Sequence, residues 1–146
     1  MIRLRGFSIK RKLDLAALHP HRAQSAVLLS IIKRNANTVF GRDHRFDLIR
    51  SEAEYRRQVP IRDYEGLRPY VDRIIAGDDA VLTASVPRML NTTSGTTGAP
   101  KYIPVTAEVL SHSKDFTLQW LYRALQDHPA MLKSSFAAMV SRAVEG

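Results

Sequence analysis

Thr92, Thr93, Ser94, Thr96 and Thr97 set five hydroxyls around Gly95 and Gly98, and Lys101 follows. Those residue types in that order suit a polyphosphate. Glycines let consecutive backbone N–H groups converge on an anion. Hydroxyls add further donors, and the lysine adds a mobile point charge. The spacing is not that of a Walker A loop, which ends in adjacent Gly-Lys and runs straight into a helix. Here Gly95 and Gly98 are three apart, Lys101 is three further on, and Pro104 keeps the next segment out of a helix. It is not the dinucleotide G-x-G-x-x-G pattern either. The same composition suits the plain loop of a β-hairpin, and the residues alone leave both readings open.

The elements that must position this stretch follow from pattern. Residues 3–18 read as a first helix. Pro20 suits the first position of a second helix, which runs to about Asn35 with Val27, Leu28, Ile31 and Ile32 as its buried stripe. Asn35 and Asn37 suit its end, as residues that tolerate left-handed geometry. Ser51 and Glu54 form a capping box for a short helix that must stop before Pro60. Asp63 caps a turn, Pro69 opens a further helix, and Gly77 closes it. Residues 81–90 and 102–105 read as extended. Thr106 caps the strongest helix, which reaches about Asp127 with Val109, Ser113, Phe116, Trp120 and Arg123 along its seam and Leu110, Leu121, Ala124 and Leu125 widening the stripe. Residues 136–144 read as a buried strand. The fold class is therefore α/β: N-terminal helices, then the first strands of a mixed sheet carrying the loop. So few strands make an incomplete sheet, and the expectation is the N-terminal part of something larger.

The chain has 146 residues, enough to bury one core. No apolar run approaches the roughly 18 residues that span a bilayer, and no membrane role is expected. There is no cysteine, which excludes disulfide scaffolds, thiolate zinc sites and cysteine nucleophiles and fits a cytoplasmic location. The net charge is +8, and Arg3, Arg5, Lys10, Arg11 and Lys12 all precede the first acid, Asp14. The remainder is close to balance, with 17 basic and 14 acidic residues. A basic start of this kind is a solvated helix, a transit peptide, a membrane-surface helix or a nucleic-acid arm. No interleaving of aromatic and basic residues favours nucleic acid, which is not expected as a partner.

Thr93-Ser94-Gly95-Thr96-Thr97-Gly98-Ala99-Pro100-Lys101 resembles the phosphate-loop signature of acyl-adenylate-forming enzymes. Tyr102-Ile103-Pro104-Val105-Thr106 follows where most of that superfamily has a glycine and then a Ser-His pair. This departure resembles one branch, the Gretchen Hagen family of auxin-responsive acyl-acid amido synthetases and their bacterial relatives. Asn37-Thr38-Val39-Phe40-Gly41 is similar to that family's "N-T-x-F-G" segment. Val59-Pro60 through Tyr64-Glu65, and Pro69-Tyr70-Val71-Asp72-Arg73-Ile74, are similar to its "V-P…Y-E…P-Y-I-x-R-I" run.

The resemblance implies the N-terminal part of an adenylate-forming (AMP-binding) large domain over residues 1–146, without the smaller C-terminal domain. It implies an ATP-dependent ligase that uses Mg²⁺, adenylates a carboxylic acid and passes the acyl group to an amine such as an amino acid. On this reading Thr93, Ser94, Gly95, Thr96, Thr97 and Gly98 hold the β- and γ-phosphates and Lys101 neutralises them. The alternatives are an acyl-CoA ligase fragment, in which a thiol replaces the amine, and a non-catalytic nucleic-acid-binding module. The chain by itself is expected to lack turnover.

Arg123 is a candidate for holding a substrate carboxylate, against a packing role in which its stem is covered and its head reaches water. Phe116 and Trp120 are candidates for an acyl pocket or for core. His19, His21, His44, His112 and His128 show no metal-ligand spacing, so no metal site is expected. No G-x-S-x-G elbow makes Ser94 a hydrolase nucleophile, and no catalytic residue is assigned. Oligomeric state is not legible.

Overall fold

The computed structural model describes residues 2–93, 100–133 and 135. Six α-helices, two short 3₁₀ turns and one β-ribbon appear among them in the order α1 (Ile2–Leu18), α2 (Pro20–Arg34), α3 (Val39–Asp43), a turn at Phe46–Leu48, α4 (Glu52–Gln58), α5 (Tyr64–Ile75), β1 (Met89–Thr92), β2 (Tyr102–Val105), α6 (Ala107–Asp127) and a turn at Pro129–Lys133. The described part is mostly helical with a small antiparallel sheet. The strand expected at 136–144 lies outside the described residues.

Capping chemistry sets most of the boundaries. The Ser51 hydroxyl accepts from the Glu54 amide at 3.2 Å, and the Glu54 carboxylate reaches back to the Arg50 amide at 2.6 Å. That is the expected capping box, with its return bond one residue earlier than the pattern predicts. Asp63 accepts from the Gly66 amide and opens α5 itself rather than an isolated turn. Pro69 therefore lies inside α5, not at its start. Capping by Asp63 outweighs the one intrahelical bond that the proline forfeits. Gly77, at a φ of +97°, closes α5 as expected: its amide reaches the Ile74 carbonyl, and the Asp78 amide reaches that of Arg73.

The core lies between α2, α3 and the turn after it. Ile32, Phe46 and Ile49 are buried, with Leu28, Leu29, Phe40, Tyr55 and Val59 against them. The Phe40 ring stacks on His44 at 4.1 Å and meets Phe46 and Tyr70 edge-on at 5.8 and 5.2 Å, which joins α5 to this core. The α2 stripe is narrower than expected. Ile32 is buried and Leu28 half-buried, but Val27 and Ile31 face solvent.

Asn35 ends α2 through its side chain, not through left-handed backbone, since its φ is −101°. Its Nδ2 donates to the Ile31 carbonyl at 2.8 Å, and its Oδ1 accepts from the Ala84 amide at 2.8 Å. Beside it, the Thr38 hydroxyl donates to the Asn35 carbonyl and accepts from the Gly41 amide, at 2.8 and 2.9 Å. Gly41 fits only because it has no side chain: a Cβ there would lie 2.1 Å from the Asn35 carbonyl oxygen. The Val39 and Phe40 amides donate to the Ala80 and Val81 carbonyls, so this junction holds the segment that leads to β1. That segment bends from 81 to 88 and becomes strand only at Met89, later than its β-branched composition suggests.

Thr106 caps α6 as expected, accepting from the Val109 amide, and α6 ends at Asp127. Its packed face takes in only one flank of the expected stripe, Leu121, Ala124 and Leu125. Tyr122 is buried, while Leu118, Gln119, Leu121, Ala124 and Leu125 are half-buried. Val109, Phe116, Trp120 and Arg123 face solvent, with Phe116 75% and Trp120 53% exposed. The reason is α1, which packs along the Tyr122 side. Gly6 lets the Tyr122 ring lie directly on α1, and Arg5 pairs with Asp115 at 2.8 Å. Lys10 pairs with Asp14, so Arg5 and Lys10 of the N-terminal cations are engaged within the chain.

Gly41→Ala is expected to lower the unfolding free energy by about 2–4 kcal/mol, because buried backbone must move to admit the new carbon. Urea denaturation followed by circular dichroism measures this. A change close to zero would show that the junction has slack the close approach denies.

Candidate functional site

The loop is built on the ribbon. Strands β1 and β2 pair antiparallel from Met89↔Val105 to Thr92↔Tyr102. The Thr93 amide then donates to the Lys101 carbonyl at 3.1 Å, which pins the two ends of the loop together. Both strands of a two-stranded ribbon are edges, where Pro104 is tolerated. Of the sequence candidates, Thr93 and Lys101 are described, and the structure brings them together at the loop's base. Ser94, Gly95, Thr96, Thr97 and Gly98 lie outside the described residues. A hairpin stem is what both a plain loop and an anion loop require, so the discriminating feature is what surrounds Lys101.

Lys101 is exposed, and its Nζ lies 5.6 Å from the centroid of the Tyr64 ring. Among the described residues no carboxylate oxygen lies within 4.0 Å of that ammonium. Its three N–H donors are thus not committed to an acid. The same ring has the Arg68 guanidinium 5.0 Å from its centroid. Arg68 is held by Glu65 through two bonds of 2.6 and 2.7 Å. That fork keeps the Glu65 carboxyl below its ordinary range and the guanidinium firmly protonated. Tyr64 also reaches β2: its hydroxyl accepts from the Tyr102 amide at 2.8 Å and points back to the Tyr102 carbonyl at 3.4 Å.

Tyr64 and Arg68 were not among the residues that the sequence singled out for the site. The only signals were the Tyr64-Glu65 pair within the V-P…Y-E run and the i, i+3 spacing of Glu65 and Arg68.

The stem continues through Thr106 into α6. In its first turn Glu108 accepts from the Ser85 hydroxyl at 2.6 Å, with Arg34 4.0 Å away. The Ser85 hydroxyl foremost, then the Glu108 backbone amide and the Thr106 hydroxyl, hold this carboxyl down at about 2. The positive end of α6 acts in the same direction.

Arg123 lies on the solvent-facing seam with Trp120 and Phe116, away from the face that packs on α1. No hydrogen bond or ion pair engages it among the described residues. His44 is buried, its Nδ1 2.8 Å from the Phe40 carbonyl. A carbonyl only accepts, so Nδ1 carries the hydrogen and Nε2 is left to accept from Arg62 at 3.1 Å. The described residues gather no group of three side chains able to hold a metal. They include no helix long and apolar enough to cross a membrane.

The family model described as GH3 family N-terminal domain matches residues 9–143. An indole-3-acetic acid-amido synthetase of Arabidopsis thaliana is 36% identical over 96 residues, which is 64% of this chain and 16% of the relative. A probable indole-3-acetic acid-amido synthetase of Oryza sativa subsp. japonica is 35% identical over 118 residues, 72% of this chain and 18% of the relative. A jasmonoyl–L-amino acid synthetase of the same plant is 36% identical over 106 residues, 70% of this chain and 17% of the relative. The matches thus span between 16% and 18% of these relatives' length.

The folded-state value of Glu108 lies below the 4.5 of the free side chain. Its contribution to stability is therefore complete above about 4.5 and is lost as pH falls toward about 2. Ser85→Ala is expected to raise the Glu108 carboxyl and to move acid unfolding to higher pH. Carboxyl NMR titration reads both, and a wild-type Glu108 that titrates near 4.5 would contradict the assignment.

Proposed function

The chain belongs to the GH3 family, and on that premise we propose that it supplies the phosphate-binding part of an ATP-dependent acid–amine ligase. The observation that carries this reading is Lys101, an ammonium with no carboxylate oxygen within 4.0 Å among the described residues, at the base of a hydroxyl- and glycine-rich loop. Residues 1–146 would form the N-terminal part of an adenylate-forming domain. The relatives' names speak of amide synthesis from indole-3-acetic acid and of jasmonoyl–amino acid synthesis, which favours an amine over a thiol acceptor. The setting proposed is the cytoplasm, where ATP is abundant.

In the first half-reaction a carboxylate oxygen attacks the α-phosphorus of ATP. The bond to the β-phosphate oxygen breaks, giving an acyl-adenylate and pyrophosphate. In the second, the amine attacks the acyl carbonyl and AMP departs. The first step builds negative charge on the leaving pyrophosphate, and donors fixed at that position lower the barrier more than they tighten ground-state binding. Thr93, Ser94, Gly95, Thr96, Thr97 and Gly98 would offer N–H and O–H donors to the β- and γ-phosphates. Lys101 would supply the charge. Its donor set fits an anionic triphosphate. Mg²⁺ would be carried mainly by phosphate oxygens and water, as is usual for this ion. Arg123 would meet the acyl carboxylate, with Trp120 and Phe116 beside it as apolar neighbours.

Calorimetric titration with Mg·ATP tests this. Lys101→Ala is expected to weaken binding about tenfold or more, the scale of a hydrogen bond to a charged group, while Arg123→Ala leaves it unchanged. With indole-3-acetate, followed through the fluorescence of the single tryptophan, the order reverses and Arg123→Ala is the damaging change. The 146-residue chain alone is expected to form no amide from acid, ATP and amino acid. Equal nucleotide affinity in wild type and Lys101→Ala would overturn the loop assignment, and measurable amide formation the view that further parts are required.

A further inference from the structure

We propose that Tyr64 is a positioning residue for the phosphate loop, setting the exit of the loop with its hydroxyl and Lys101 with its ring. This rests on the phosphate-loop reading and adds to it a residue from outside the loop. The Tyr102 amide is directed away from β1, because it donates to the Tyr64 hydroxyl at 2.8 Å. That hydroxyl stands where a third strand would otherwise pair, and it fixes the first residue after Lys101. The ring of the same residue lies 5.6 Å from the Lys101 ammonium. A lysine side chain is a flexible four-carbon stem with many rotamers, all but a few of which point away from a bound anion. An aromatic face attracts the ammonium and narrows that set before a phosphate arrives. The attraction to a ring is weaker than to a carboxylate, and among the described residues no hydrogen bond engages the three N–H groups, so the lysine is held but not neutralised.

Tyr64 is itself held by its helix. It is the first residue of α5, which Asp63 caps and which Tyr70 joins to Phe40. Arg68, one turn further on, has its guanidinium 5.0 Å from the same ring and is bound by Glu65. One aromatic ring thus orders two cations. Glu65 binds Arg68 directly and feels Lys101 only through its charge, which leaves the Lys101 ammonium available to an incoming anion.

The test uses the 146-residue chain, ¹³C-labelled at lysine, with inorganic tripolyphosphate as the probe. Lys101 is assigned by Lys101→Arg. In the wild type its ε-methylene signals should be displaced upfield by the Tyr64 ring. Tyr64→Phe should keep that displacement but make the Tyr102 amide exchange about tenfold faster or more. Tyr64→Leu should abolish the displacement and weaken tripolyphosphate binding about threefold or more, measured on folded protein. A purely structural tyrosine would alter the melting temperature and leave the lysine signals and the affinity as they were. Ordinary Lys101 shifts in the wild type, or unchanged affinity in Tyr64→Leu, would overturn the proposal while leaving the loop reading intact. Failure of the wild type to bind tripolyphosphate would overturn both. If Tyr64→Leu does not fold, the wild-type shifts and the Tyr102 amide in Tyr64→Phe decide the matter.

Discussion

Thr38 is 1% exposed, and its hydroxyl is bonded in both directions, to the Asn35 carbonyl and from the Gly41 amide. A buried hydroxyl with one partner missing is costly, so three consecutive turns of chain must keep their relative placement. Asn35 extends the constraint by accepting from the Ala84 amide, and the Val39 and Phe40 amides extend it to Ala80 and Val81. The segment from 80 to 84 is the approach to β1. The end of α2, the start of α3 and the base of the hairpin are therefore set by one small polar junction rather than by apolar contact alone. Phe40 carries the same placement into α5 through Tyr70, and α5 presents Tyr64 to Lys101.

Much of this was legible from local chemistry. Ser51, Asp63 and Thr106 cap helices because their side chains accept amide hydrogens within four residues, a relation that sequence displays directly. Pro60 and Gly77 bound their elements for equally local reasons. The two strands flanking the loop were readable from Pro104 and the β-branched run, although the first begins only at Met89. The Asn37–Gly41 and Val59–Glu65 segments carried the family resemblance, and the family match confirms that much.

What was not legible depends on partners distant in sequence. The apolar pattern of α6 covers both the seam of Val109, Phe116 and Trp120 and the flank of Leu121, Ala124 and Leu125, and it does not say which of them packs. The packed face is instead chosen by α1, where Gly6 admits the Tyr122 ring and Arg5 reaches Asp115, and nothing within α6 announces that choice. Pro69 suits a helix start by its fixed φ, and only the cap at Asp63 carries the helix back across it. Nothing local marks Tyr64, because its role depends on a lysine 37 residues later that the fold places over its ring. The loop's composition suits a phosphate or a plain hairpin equally, and the family resemblance favours the phosphate, whereas the group that would aim its lysine is supplied by another element.

The central claim is that residues 93–101 bind phosphate. Its most direct test is an amide NMR map of the 146-residue chain with and without inorganic pyrophosphate. The account predicts shift changes centred on residues 93–101, spreading to Tyr64 and Tyr102 and sparing α1. Changes confined to Arg3, Arg5 and the other N-terminal cations, or no changes in the loop at saturating pyrophosphate, would contradict it.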